Sequence, residues 1–235
     1  MFFSMIYWVY ILVALLPAIF LMRYVYLQDK IEKEPGYLLL NLVILGAVSA
    51  VIAGILELIG EAVLSSFMNE KDPYYKVLTA FLVVGAAEEG VKFFFLKKRT
   101  WRDPNFNFRF DGVVYAAFVS LGFAAFENVM YVFKYGLTTG FLRAFLSVPG
   151  HLGFSVFMGT FYGYAKSCEM EGNESRKKFN LWAGYLTAVF LHGFYDACVM
   201  LRTPSSMLVF FAFVIAMYII CFRLIRNDSD SDGPV

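Results

Sequence analysis

The densest chemistry in the chain lies in Gly85-Ala86-Ala87-Glu88-Glu89-Gly90-Val91-Lys92, two adjacent carboxylates and a lysine in a run otherwise apolar from about Val77 to Leu96. A run of that length reads as a membrane-spanning helix. Each ionisable side chain near the bilayer centre costs about 2.5 kcal/mol or more, so three within five residues need a reason. Glu88 and Lys92 stand four apart, share a helix face and can pair. Glu89 points about 100° away around the helix and is expected to find its partner on another helix or in a wet cavity. This pairing leaves Glu89 the freer carboxylate and the preferred base.

Three further apolar segments carry polar groups. One holds Phe123-Ala124-Ala125-Phe126-Glu127-Asn128, the next His151 with Ser155 four residues on, and the next His192 with Asp196 four residues on. The chain has only two histidines, and both fall inside these segments. The i, i+4 spacing lets Asp196 accept from one ring nitrogen of His192 and set its tautomer. Carboxylate plus imidazole is the equipment for activating water, and an amide or imidazolium can donate to a developing oxyanion. Each feature alone also has a plain reading: an intrahelical ion pair for Glu88 and Lys92, an interhelical hydrogen bond for Asn128, packing for His151. Together they can satisfy one another around one cavity.

Two other functions use the same residue types. A proton-coupled transporter needs such a relay, but the sequence shows no inverted repeat and no pair of interrupted helices. Zinc could be held by a subset of Glu88, Glu127, His151, His192 and Asp196, although no HExxH motif specifies a metal. Cys168, Cys198 and Cys221 form no ligand spacing and read as packing residues.

The elements that must position these groups are helices. Of 235 residues, 60% are hydrophobic and 19% aromatic, with a mean hydropathy of +0.63; soluble domains are about 45–50% apolar. We expect an all-α polytopic membrane bundle of about seven transmembrane helices, near 2–22, 37–60, 75–96, 111–133, 143–166, 180–202 and 205–225, with a four-helix catalytic core over 75–202. Residues 1–226 form a single integral membrane domain, and 227–235 a disordered, acidic cytoplasmic tail. The first segment has neither a basic n-region nor a small-x-small site, so it is expected to stay as a helix. A net charge of +1 excludes a basic field for nucleic acid. Fourteen basic residues fall in the first, third and fifth loops and the C-terminal segment, against five on the other side. The positive-inside rule then puts the N-terminus outside and the C-terminus in the cytoplasm. On these spans Glu127 and His151 lie toward the outer side and Glu88 and Glu89 toward the inner, so a single site needs tilted helices or shifted boundaries.

At these residues the sequence resembles the PrsW family of intramembrane proteases, within the larger group that includes the type II CAAX prenyl endopeptidases. Glu88-Glu89-Gly90-Val91-Lys92 is similar to its EExxK motif, Phe123 to Asn128 to its FxxxEN motif, and His192 to Asp196 to its HxxxD motif, with His151 at the place of an additional membrane histidine. The resemblance covers about 75–202. It implies glutamate-type peptide hydrolysis without a bound metal or cofactor, Glu88 or Glu89 activating water with help from one histidine, and the other histidine and an amide holding the oxyanion. It also implies a single-span membrane substrate, an anti-sigma factor cut first on its extracytoplasmic side. The chain departs from the CAAX group in having Glu127 where that group has histidine, and Asp196 where asparagine is common.

Overall fold

The computed structural model describes residues 2–235. Its helices are α1 (Phe2–Gln28), α2 (Gly36–Phe67), α3 (Pro73–Leu78), a π-helical segment (Thr79–Gly85), α4 (Ala86–Thr100), α5 (Asp111–Tyr135), α6 (Leu137–Phe145), α7 (Ser147–Met170), α8 (Glu174–Leu201) and α9 (Pro204–Asp230). Among the described residues there is no strand, only one isolated bridge between Phe108 and Pro234. Six spans are long and apolar enough to cross a membrane: α1, α2, α5, α6 with α7, α8 and α9. The seventh expected span is the rod made by α3, the π segment and α4. It is about 40 Å long at 1.5 Å per residue, and its charges alone set it apart from the others. The protein is a polytopic membrane helix bundle.

The bundle is built around α5. Every residue from Asp111 to Ala124 is buried, as expected of a helix apolar on all faces. By contrast, only 22% of the apolar windows of α1 and α2 is buried, which leaves their side chains to lipid. Small residues let the backbones close on α5. A Cβ at Gly122 would lie 2.3 Å from the Val43 carbonyl oxygen of α2, and one at Gly159 of α7 would lie 2.6 Å from the Val113 Cα.

Two expectations change. The span near 143–166 is two helices, because the backbone breaks at Leu146 (φ −113°) between α6 and α7. The tail is ordered: α9 continues to Asp230, and the last residues dock on the loop before α5. Arg109 N–H donates to the Gly233 carbonyl (3.0 Å) and Val235 N–H to that of Asn107 (2.9 Å), while Phe110 N–H donates to Asp232 Oδ1 (2.9 Å). The loop has unpaired backbone donors, and the acidic tail supplies acceptors for them.

Candidate active site

The site begins with the π segment. Ala86 N–H reaches back five residues to the Phe81 carbonyl, which widens the turn just before Glu88 and Glu89. Glycine permits this, since a Cβ at Gly85 would meet the Ala80 carbonyl oxygen at 3.0 Å and that of Val189 at 3.2 Å. Opposite, a Cβ at Gly193 would lie 2.5 Å from the Phe81 ring. The rod and α8 therefore touch at their glycines, one residue from His192 and one turn from Glu89.

Lys92 is the hub. Its ammonium has three protons and three acceptors: Glu88 Oε2 at 3.0 Å, Glu89 Oε1 at 2.8 Å and His151 Nδ1 at 3.2 Å. It also lies 3.9 Å from the centroid of the Phe123 ring, a cation–π contact. Thus Lys92 pairs with both glutamates rather than with Glu88 alone. Lysine donates only, so the contact makes Nδ1 of His151 the acceptor and places the ring proton on Nε2, which faces Glu127 Oε2 at 3.1 Å. Glu127 is held from the other side by Arg143 of α6 at 2.6 Å, and Ser120 donates to the His151 carbonyl at 2.9 Å.

His192 completes the group. Its Nδ1 is 2.8 Å from Glu89 Oε1, and its Nε2 is 3.4 Å from Asp196 Oδ2. The shorter contact belongs to Glu89, so Glu89 rather than Asp196 fixes the tautomer and leaves Nε2 directed at Asp196. Phe154 stacks on the His192 ring at 4.7 Å and 19° and locks its plane.

A cavity of about 570 Å³ reaches Glu88, Glu127, His151, His192 and Asp196. Glu89 does not line it and is fully buried, with Oε2 lacking any hydrogen-bond partner. Glu88 therefore faces the reaction space, and Glu89 stands behind it. Of the residues expected at the site, Glu88, Glu89, Lys92, Glu127, His151, His192 and Asp196 come together. Asn128 does not join the histidines: its Nδ2 donates to the Ala14 carbonyl of α1 (2.9 Å), and its Oδ1 accepts from Arg143 (3.2 Å). The sequence reading missed Arg143 and the carboxylates of Glu57 and Glu61, which also line the cavity. The signal for the pair was there, two acids four apart in the most apolar part of the chain. Arg143 looks like an ordinary loop cation until α6 folds it inward.

A family model described as PrsW family intramembrane metalloprotease matches residues 34–223. The chain belongs to the PrsW family. Relatives named Protease PrsW include one from Geobacillus kaustophilus, 35% identical over 77% of this chain and 75% of its own, and one from Clostridioides difficile, 30% identical over 88% and 86%. A third, from Bacillus subtilis, is 32% identical over 77% and 78%. No solved structure matches. This PrsW family member is accordingly a peptidase embedded in the membrane.

The family description includes a metal, and the donors can be tested for one. Glu88, Glu89, His151 and His192 each offer a ligand atom within 4.8 Å of the others, a set suited in type to zinc. Three of the four, however, already accept the three hydrogen bonds of Lys92. A dication on those same atoms would need the space of the ammonium and would bring two positive centres into contact. With Lys92 seated, the atoms that face it do not accommodate a metal ion, and Glu88 Oε1 and Glu89 Oε2 are the carboxylate oxygens left over.

Proposed function

We propose that this PrsW family member hydrolyses a peptide bond of a single-span membrane protein, with Glu88 as the base that activates water. The observation that carries this reading is the Lys92 hub, which fixes Glu88 with one oxygen bound and leaves Oε1 without a hydrogen bond among the described residues, at the cavity wall. Glu88 Oε1 takes a proton from water as the water oxygen bonds to the scissile carbonyl carbon. The proton then passes to the leaving amine as the C–N bond breaks, with His192 Nε2 placed to relay it. Arg143 and the His151 Nε2–H border the same cavity and supply positive charge and a donor for the oxyanion. Glu89 orients His192 and neutralises Lys92.

The cavity also reaches Arg202 and Met207 around the α8–α9 turn, the end of the molecule away from the docked tail. With the C-terminus cytoplasmic and the N-terminus outside, the site is open toward the extracytoplasmic side. An anti-sigma factor given its first cut there is the substrate class that the family resemblance supports.

The test is cleavage of a purified single-span anti-sigma substrate by Glu88→Gln, Glu89→Gln and wild-type protein, each with and without a strong chelator. Glutamine keeps the shape but cannot take a proton at neutral pH. Glu88→Gln is expected to lower turnover by on the order of 10²–10⁴ with a smaller loss of melting temperature than Lys92→Met, since glutamine still accepts from Lys92, and the wild type to resist chelation. Full activity in Glu88→Gln rejects the base assignment; loss on chelation, restored by zinc, replaces it with a metal mechanism.

A further inference from the structure

A second group of buried carboxylates lies far from the active site. Asp29 follows α1, Glu34 sits in the α1–α2 loop and Asp111 opens α5; one oxygen of each lies within 4.8 Å of the others. Asp111 and Glu127 are sixteen residues apart on α5, or about 24 Å. The three residues are 1%, 4% and 1% exposed.

Their partners do not balance their charge. Asp111 Oδ2 accepts the N–H groups of Asn107 (3.1 Å) and Phe108 (2.7 Å). Glu34 Oε2 accepts the Tyr115 hydroxyl (2.7 Å). Asp29 Oδ2 is buried and has no hydrogen-bond partner at all. The two lysines of the loop are engaged elsewhere: Lys33 on the carbonyls of Tyr26 (2.6 Å) and Asp29, and Lys30 on Asp230 (2.5 Å). Among the described residues no side-chain cation pairs with any of the three.

We propose that Asp29, Glu34 and Asp111 bind one hard divalent cation, Mg²⁺ or Ca²⁺, which fastens the α1–α2 loop to the start of α5. An all-oxygen donor set with no nitrogen or sulfur selects these ions over zinc. The Glu34 and Asp111 carboxyls also hydrogen-bond to each other; the metal would release the proton they share and take both, with Asp29 as the third ligand. Water completes the shell, as is usual for Mg²⁺.

The experiment uses the full chain in detergent, stripped with a chelator and then titrated with Mg²⁺ or Ca²⁺. Melting temperature should rise saturably, by roughly 5–10 °C at a hundredfold excess over Kd, and equilibrium dialysis should count one ion per chain. Asp29→Asn and Glu34→Gln should lose the rise, while Glu88→Gln keeps it, because that variant alters only the catalytic group. The wild-type dialysis count keeps the test decisive if a loop variant does not fold. No bound ion and no shift with either metal would overturn the proposal and leave the carboxyls sharing protons. A shift that survives both loop variants, or that vanishes in Glu88→Gln, would overturn it by placing the ion elsewhere.

Discussion

At the scale of single residues, Lys92 holds the site together. Its position was legible in the sequence, because a lysine four residues after a glutamate in an apolar helix has to pair. Its full role was not, because His151 is 59 residues away and only the folding of the bundle brings it to 3.2 Å. Lys92→Met leaves two carboxylates unneutralised at under 10% exposure. Breaking a buried pair by removing one partner costs about 3–5 kcal/mol, so this variant should lose melting temperature and cleavage together. A stable, active Lys92→Met protein would remove the hub from the mechanism. The two contacts of His192 make a finer prediction. Glu89 at 2.8 Å holds the ring more firmly than Asp196 at 3.4 Å. Asp196→Asn should therefore keep more turnover than Glu89→Gln, and only Glu89→Gln should also lower the melting temperature. Equal kinetic loss with equal stability in the two variants would remove the orienting role from Glu89.

At the scale of elements, the π segment and its facing glycines decide whether acid and imidazole meet. Hydrophobic pattern finds helices here with ease but cannot show a π turn, since Thr79–Gly85 is as apolar as its neighbours. Nor could it show that α6 folds Arg143 into the cavity: Pro149, whose missing N–H leaves the Phe145 carbonyl to the Tyr218 hydroxyl, marks a break near Leu146 but not its direction. The concern that His151 and Glu127 lie at a different depth from Glu88 and Glu89 came from counting straight spans; the Lys92 contacts put all of them in one network. Gly193→Val tests the contact. Its side chain would enter the Phe81 ring, where a Cβ already lies at 2.5 Å, and overpacking of this kind costs about 1–3 kcal/mol. Because α8 would be pushed off the rod beside His192, cleavage should fall much further than the melting temperature. Gly54→Ala in α2 is the matched control, with nothing within 4 Å of the new Cβ. It should leave cleavage intact and stabilise by about 0.5–1 kcal/mol.

At the scale of the whole molecule, the charge pattern read along the chain becomes a physical end of the bundle. Lys30 meets Asp230 at 2.5 Å, which joins the first loop to the last helix. Arg109 and Phe110 hold the tail, which adds the third loop. Lys166 donates to the Trp101 carbonyl at 3.0 Å, and Glu169 accepts from the Trp101 indole at 3.0 Å, which adds the fifth. All four basic segments thus gather at one end, away from the Arg143 and Arg202 side of the cavity. The acidic tail looked disordered from its composition because the sequence could not show the unpaired donors of the loop that it meets. This gathering ties the sidedness of the three loops and the C-terminus together, so orientation becomes a single question. The positive-inside rule predicts that this end is cytoplasmic. Reporter fusions after Arg102, after Gly172 and at the C-terminus should then all read cytoplasmic, and one after Lys71 should read outside. If the first three agree with one another and read outside, the bundle stands and the orientation is inverted, which would move the cut to the cytoplasmic side. If they disagree among themselves, the helices cannot pack with these loops at one end, and the shared cavity fails with them.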